Sequence, residues 1–180
     1  MSRHPATRRP GQHGLTLVEA CIAVAITCIL LAGMLPSMQQ LRQRQHLHGL
    51  AAQLETDLHL ARSEAVARNR IVRLAFAGSG AQACWAIHTG NPGACSCQSG
   101  QCSAGGELLA TRSVAASPEV SVSSNSTSLA FSPRHGTVTP TATMRVRHSR
   151  GDEVRLVINL TGRVRSCTPT AGLTAFQPLC

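Results

Sequence analysis

The sequence predicts an α+β chain, one long N-terminal helix followed by an antiparallel β-rich domain. Three observations predict it. An apolar run from Leu15 to Leu35 carries no ionisable side chain except Glu19 and the thiols Cys21 and Cys28. Beyond Pro36, apolar residues recur at steps of three and four as far as Ala65, the period of a helix with one buried face. From Arg70 onward the pattern changes to short alternating segments separated by Gly, Ser, Pro and Asn, the signature of strands and turns. The 180 residues suffice for an apolar helix and one domain with its own core. No repeat or low-complexity linker marks a second domain.

The apolar run is long enough for a helix of roughly 30 Å, the thickness of a bilayer core. Arg3, Arg8 and Arg9 precede it, which predicts a cytoplasmic leader and a remainder that crosses outward. An ordinary secretory signal has a shorter apolar centre without an acid. A plain signal anchor accounts for the length but leaves Glu19 unexplained. A carboxylate inside an apolar segment is costly and marks a functional residue that needs a partner. Pro36 removes one backbone donor and predicts a local bend.

The second half of the helix carries the stripe Leu47, Leu50, Ala51, Leu54, Leu58, Ala61 and Ala65. Arg42, Arg44, Glu55, Arg62, Glu64 and Arg68 fall mostly off it, and Glu64 with Arg68 forms a favourable i,i+4 pair. A single helix from Leu15 to about Arg68 would be roughly 80 Å long. His46, His48 and His59 have no i,i+4 relation to one another, which argues for solvated positions over metal ligands.

The strand candidates are Ile71–Ala77, Cys84–Thr89, Leu108–Val114, Val120–Ser123, Leu129–Ser132, Met144–His148, Glu153–Leu160 and Gly162–Cys167. Ser149–Asp152 reads as the turn of a hairpin, and that explains its Arg-Gly-Asp triplet better than a receptor-binding role. The stretch 91–106 is rich in Gly, Ser and Cys without a hydrophobic repeat, and is expected to be a loop. Six cysteines, Cys84, Cys95, Cys97, Cys102, Cys167 and Cys180, follow the apolar run. An even set in an oxidising compartment reads as disulfides, with fifteen pairings open. Cys167 with Cys180 would tie down the C-terminal tail, leaving the other four to pair among themselves. A zinc site is the alternative for those four, but they lack the paired C-x2-C spacing of structural zinc sites. Cys21 and Cys28 are expected as small apolar thiols.

The formal charge is +9 from 17 basic and 8 acidic residues, and every basic residue is Arg. Arg is the better side chain for bidentate phosphate contacts. Aromatics are few, so base stacking is not a broad feature. No Ser, His and Asp grouping carries a nucleophile motif and acids are sparse, so no catalytic residue, cofactor or metal is expected. The strongest feature after the apolar run is the late basic cluster of Arg134, Arg145, Arg147, Arg150, Arg155, Arg163 and Arg165, with only Asp152 and Glu153 among them. Arg145 with Arg147, and Arg163 with Arg165, alternate so that each pair shares one strand face. Such rows can contact successive phosphates. A solvated face that blocks edge aggregation is the plainer reading.

The stretch Gly14-Leu-Thr-Leu-Val-Glu19 with its basic leader resembles the class III signal of type IV pilins and pseudopilins, apart from Leu15 where that family usually has Phe. The resemblance implies cleavage after Gly14 by a prepilin peptidase and N-methylation of Leu15. It also implies that Glu19 neutralises the Leu15 amine of a neighbouring subunit during assembly, a pairing that makes two buried charges tolerable. Loss of residues 1–14 removes three arginines and no acid, taking +9 to +6. Leu54-Glu-Thr-Asp-Leu-His-Leu-Ala-Arg-Ser-Glu-Ala-Val-Ala-Arg-Asn69 and Gly162-Arg-Val-Arg165 resemble the FimT/GspH family of minor pilins and pseudopilins across essentially the whole chain. That resemblance implies a leader at 1–14, a membrane and assembly half-helix at 15–38, and an amphipathic half-helix with a β-rich domain at 39–180. It implies an inner-membrane, single-pass subunit with a periplasmic C-terminus, incorporated with other pilins into a pilus or pseudopilus. In the FimT branch it implies sequence-independent DNA binding during natural transformation, mapped onto Gly162, Arg163 and Arg165, with Arg145 and Arg147 as further candidates. The alternative is a structural subunit that initiates or caps a type IV pilus or a type II secretion pseudopilus without touching DNA.

Overall fold

The computed structural model describes residues 16–103, 105–114, 119–169 and 178–180. Its helix α1 spans Leu17–Ala67 as one element that passes through Pro36. The start is capped by Thr16, whose Oγ1 accepts from the Glu19 amide at 3.3 Å, satisfying one of the orphan donors of a helix N-terminus. The end is closed by Asn69 at φ 50°, with the Arg70 amide donating back to the Ala65 carbonyl at 3.2 Å. This is the left-handed cap that Asn tolerates. Gly14 and Leu15 lie outside the described residues.

The chain divides into two compact units, Met1–Leu41 and Arg42–Cys180. In the first, Leu17, Val18, Ile22, Val24, Ile26, Ile29, Leu30 and Leu31 are exposed. Among the described residues no helix is long and apolar enough to cross a membrane. The span expected from sequence also draws on residues 32–35, whose side chains lie outside the described residues.

The second unit holds the core. All seven residues of the helical stripe, Leu47, Leu50, Ala51, Leu54, Leu58, Ala61 and Ala65, are buried there. The strands are β1 (Val72–Ala77), β2 (Cys84–Thr89), β3 (Cys95–Ser96), β4 (Gln101–Cys102), β5 (Leu108–Ser113), β6 (Val120–Ser124), β7 (Ser128–Phe131), β8 (Val138–Thr139), β9 (Ala142–His148), β10 (Glu153–Ile158) and β11 (Val164–Cys167). They form a five-stranded sheet ordered β5-β2-β1-β7-β8, a four-stranded sheet ordered β11-β10-β9-β6 and the small β3-β4 ribbon. All described ladders are antiparallel. Val72, Leu74, Phe76, Trp85 and Ile87 from the first sheet share one core with Val122, Met144, Val146, Val154, Leu156 and Ile158 from the second. The fold is therefore a helix packed on an antiparallel β-rich domain.

Two expectations are corrected. Residues 91–106 are not all loop, since β3 and β4 pair Cys95 with Cys102 and Ser96 with Gln101. The two-residue β8 was not expected either; it pairs with β7 and is too short to show an alternation. The cysteines pair as Cys84–Cys97, Cys95–Cys102 and Cys167–Cys180, while Cys21 and Cys28 are free and exposed. The Cys84–Cys97 bond explains why β2 is buried along its whole length. Trp85 and Ile87 face the core, and Cys84, Ala86 and His88 face the other way, on the side stapled to the cystine-rich segment. Inside the core, Trp85 Nε1 donates to Asp57 Oδ2 at 2.7 Å, so this buried acid of α1 has its polar partner.

Candidate functional site

The four-stranded sheet has two faces of opposite character. Alternation sends Val154, Leu156 and Ile158 of β10 inward and Glu153, Arg155 and Val157 outward. Strand β9 does the same, with Met144 and Val146 buried and Arg145 and Arg147 exposed. Register then fixes the outer rows: Ser123, Arg145, Arg155 and Cys167 lie side by side across β6, β9, β10 and β11, next to a row of Ser121, Arg147 and Glu153. Arg165 opens the third row, beside Val157 and Thr143. Arg145 and Arg147 thus share one face as expected. Arg163 is a correction: it precedes β11 and sits in the β10–β11 loop, so only Arg165 is a strand residue.

Glu153 decides which arginines remain uncompensated. Its side chain is 3% exposed. It accepts from Arg147 Nη2 at 2.6 Å and Nε at 3.0 Å and from Arg155 Nε at 2.5 Å. Burial alone would raise its pKa, but the hydrogen bonds and charges of Arg155 and Arg147 together outweigh this and hold it below the usual carboxylate value. The other nearby acid, Asp152, faces Arg44 at 3.5 Å. Among the described residues, the side chains of Arg145, Arg163 and Arg165 are exposed and make no hydrogen bond or ion pair. Arg145 also stands directly opposite Arg155, and like charges in that position repel. Arg134 and Arg150 lie in exposed turns away from these rows. Ser149–Asp152 is the β9–β10 turn, closed by the His148 amide donating to the Asp152 carbonyl at 2.8 Å.

The loop that carries Arg163 is tightly built. The Asn159 side chain accepts from the Arg163 amide at 2.9 Å and from Thr161 Oγ1 at 2.8 Å, and the Gly162 amide donates to the Asn159 carbonyl at 2.9 Å. Gly162 sits at φ 74°, and a Cβ there would collide with the Gly136 carbonyl oxygen. A Cβ on Gly136 would come within 2.6 Å of Arg62 Nε. Arg62 itself, half-buried on α1, donates to the Gly162 carbonyl at 3.4 Å. Three segments therefore meet at two glycines and one helical guanidinium. Sequence reasoning placed Gly162 with the basic motif but missed Arg62 and Gly136, although Arg62 stands in the Ala-Arg-Ser-Glu-Ala segment.

The C-terminus is fastened to the same sheet. Beside the Cys167–Cys180 bond, the Thr168 amide donates to the Pro178 carbonyl at 2.9 Å, the Cys180 amide donates to the Thr168 carbonyl at 3.1 Å, and Thr168 Oγ1 donates to the Glu153 carbonyl at 2.8 Å. Of the helical histidines, His46 and His59 are exposed, whereas His48 is half-buried. Burial lowers the His48 pKa; Asp152 opposes that shift and Arg44 adds to it. No cluster of metal-binding side chains occurs among the described residues.

The sequence profile described as Type II transport protein GspH matches residues 50–162. No curated protein matches the chain. The crystal structure of the type IV minor pilin FimU of Pseudomonas aeruginosa is similar in fold, with a TM-score of 0.53 at 21% identity, covering 68% of this chain and 88% of that one. Fold and family are those of structural pilins. The profile covers the amphipathic helix from Leu50 onward, every strand except β11 and the first residue of Gly162-Arg-Val-Arg165, and the chain belongs to the GspH family of pilin-like subunits.

Proposed function

We propose that this chain is a minor pilin that binds the DNA backbone without reading sequence, through the outer face of the β11-β10-β9-β6 sheet. The observation that carries the reading is the uneven distribution of acid on that face. Glu153 serves Arg147 and Arg155, which leaves Arg145, Arg163 and Arg165 exposed and uncompensated. Guanidinium groups in that state are suited to phosphate oxygens, and contacts of that kind position a duplex without specifying bases. Gly162 contributes by shaping the loop that presents Arg163, and Arg147 contributes least because Glu153 holds it. No residue is assigned a catalytic role.

The rest of the subunit follows the pilin plan. Residues 1–14 form a leader that prepilin peptidase removes after Gly14, and Leu15 becomes the methylated N-terminus. Residues 15–38 anchor the chain in the inner membrane and enter the filament, where Glu19 meets the Leu15 amine of a neighbouring pilin. Residues 39–180 project into the periplasm and then into the pilus, where DNA uptake for natural transformation takes place. A second reading rests on the matched profile, whose description is a type II transport protein: a pseudopilus subunit that meets only other pilins.

Fluorescence anisotropy of a labelled duplex with the full chain in non-ionic detergent tests the reading across a salt series. Binding with a clear salt slope, weakened and flattened in Arg163→Ala/Arg165→Ala, is the expected result. Absence of binding at low salt would remove the DNA role and leave the assembly subunit.

A further inference from the structure

Next to the arginine rows, a cleft of about 280 Å³ opens at the β6 edge of the four-stranded sheet, lined by Ser123, Ser124, Asn125, Thr143 and Arg145. Liquid water takes roughly 30 Å³ per molecule, so the cleft has room for a tetrahedral oxyanion and several waters. Its lining contains no carboxylate. The Thr143 amide donates to Asn125 Oδ1 at 2.8 Å, which fixes the amide orientation and leaves the Asn125 Nδ2 group as a donor. The Asn125 amide in turn donates to the Thr143 carbonyl at 3.3 Å, so the two strands clamp the rim. Ser124 is spent locally: its hydroxyl donates to the Ser126 carbonyl at 2.7 Å and accepts from the Ser126 amide at 3.2 Å. Among the described residues the Ser123 and Thr143 hydroxyls and the Arg145 guanidinium have no hydrogen-bond partner, although all three line this space.

We infer that this cleft is a phosphate seat: Arg145 supplies a planar fork, and Ser123, Thr143 and Asn125 Nδ2 supply neutral donors around the same oxyanion. Two independent observations point there. One is a lining that offers a guanidinium, hydroxyls and an amide NH2 but no carboxylate. The other is the placement of Arg145 opposite Arg155 with Glu153 already engaged by Arg147 and Arg155, an arrangement that a bound anion relieves. The inference deepens the DNA reading and rests on it for the source of the phosphate. Arg165 lies two strands from the seat, about 10 Å at the usual strand spacing, and one extended polyanion can engage both. The contact through Arg145 is then a fixed point, and the contacts through Arg163 and Arg165 are added to it.

The test uses the full chain in non-ionic detergent with two probes, a duplex oligonucleotide and inorganic phosphate. Arg145→Ala is expected to weaken duplex binding roughly tenfold at low salt and to lower the salt slope by about one, the contribution of one phosphate contact. Arg145→Lys, which keeps the charge but loses the fork, should fall between the two. Inorganic phosphate at constant ionic strength should shift the amide resonances of Ser123, Asn125 and Thr143 in wild type and not in Arg145→Ala. Duplex binding that depends on Arg163 and Arg165 but is unchanged in Arg145→Ala, without phosphate shifts, overturns the seat and spares the DNA reading. Phosphate shifts without duplex binding support the seat and overturn the DNA reading. A thermal melt of each variant separates lost contact from lost fold, since Arg145 is exposed.

Discussion

The two larger sheets share one core but treat their outer faces in opposite ways. The β5-β2-β1-β7-β8 sheet covers its β2 strand on both sides, with the helix and core on one and the cystine-stapled segment on the other. The β11-β10-β9-β6 sheet leaves its outer face open and lines it with arginine. The difference shows in composition: the covered side carries Ala86 and a buried His88, and the open side carries Arg145, Arg147 and Arg155 around one acid. A covered face adds to stability, whereas an open face with surplus charge of one sign attracts groups of the other sign, as the proposed function requires.

Three experiments break or sharpen this contrast. The largest effect should come from the covered sheet. Cys84→Ser/Cys97→Ser, which opens a link between residues thirteen positions apart, should cost about 2–4 kcal/mol and appear as a fall in Tm by circular dichroism. An unchanged Tm would show that the cover is dispensable. Next is Gly162→Ala, which combines a left-handed φ with a collision against the Gly136 carbonyl. It should cost about 1–3 kcal/mol in a urea titration, and amide exchange in the Arg163 loop should speed up. Protection equal to wild type would remove Gly162 as the shaper of that loop.

The smallest change in stability should come from the open sheet. Glu153→Gln replaces the ionised acceptor of Arg147 and Arg155, costing about 1–2 kcal/mol, while freeing two cations. Duplex affinity and its salt slope should therefore rise as stability falls, and a parallel loss of both would contradict the assignment. The pH dependence has a definite sign. Because the folded pKa of Glu153 lies below its ordinary 4.5, its stabilisation is full above that value and is lost as pH falls through the folded pKa. Wild type should lose Tm on acidification below about pH 4.5 more steeply than Glu153→Gln.

Much of this architecture was legible in the sequence because periodicity reports burial. The stripe from Leu47 to Ala65 is buried without exception, and Cys84–Thr89 matches β2 residue for residue. Strands β3, β4 and β8 were not legible, because two-residue strands are too short to alternate. The expected Cys167–Cys180 link is present, while the pairing of the other four cysteines depends on how residues 91–106 fold back over β2. In the candidate site the arginines of β9 could be assigned to a face from sequence alone. That Glu153 would claim Arg147 and Arg155 could not, since it depends on the hairpin register set by Ser149–Asp152. The meeting of Arg62 with Gly136 and Gly162 joins positions far apart in the chain and has no local signal.

That meeting has a mechanical consequence. Arg62 acts as a pin between the helix shaft and the basic loop, seated in two notches that exist only because residues 136 and 162 lack a Cβ. Turning the helix by a single residue would swing the pin through roughly 100° and out of both notches. Within the second unit, the azimuth of the Arg163 loop about the helix segment that carries Arg62 is therefore set by one side chain and two missing ones.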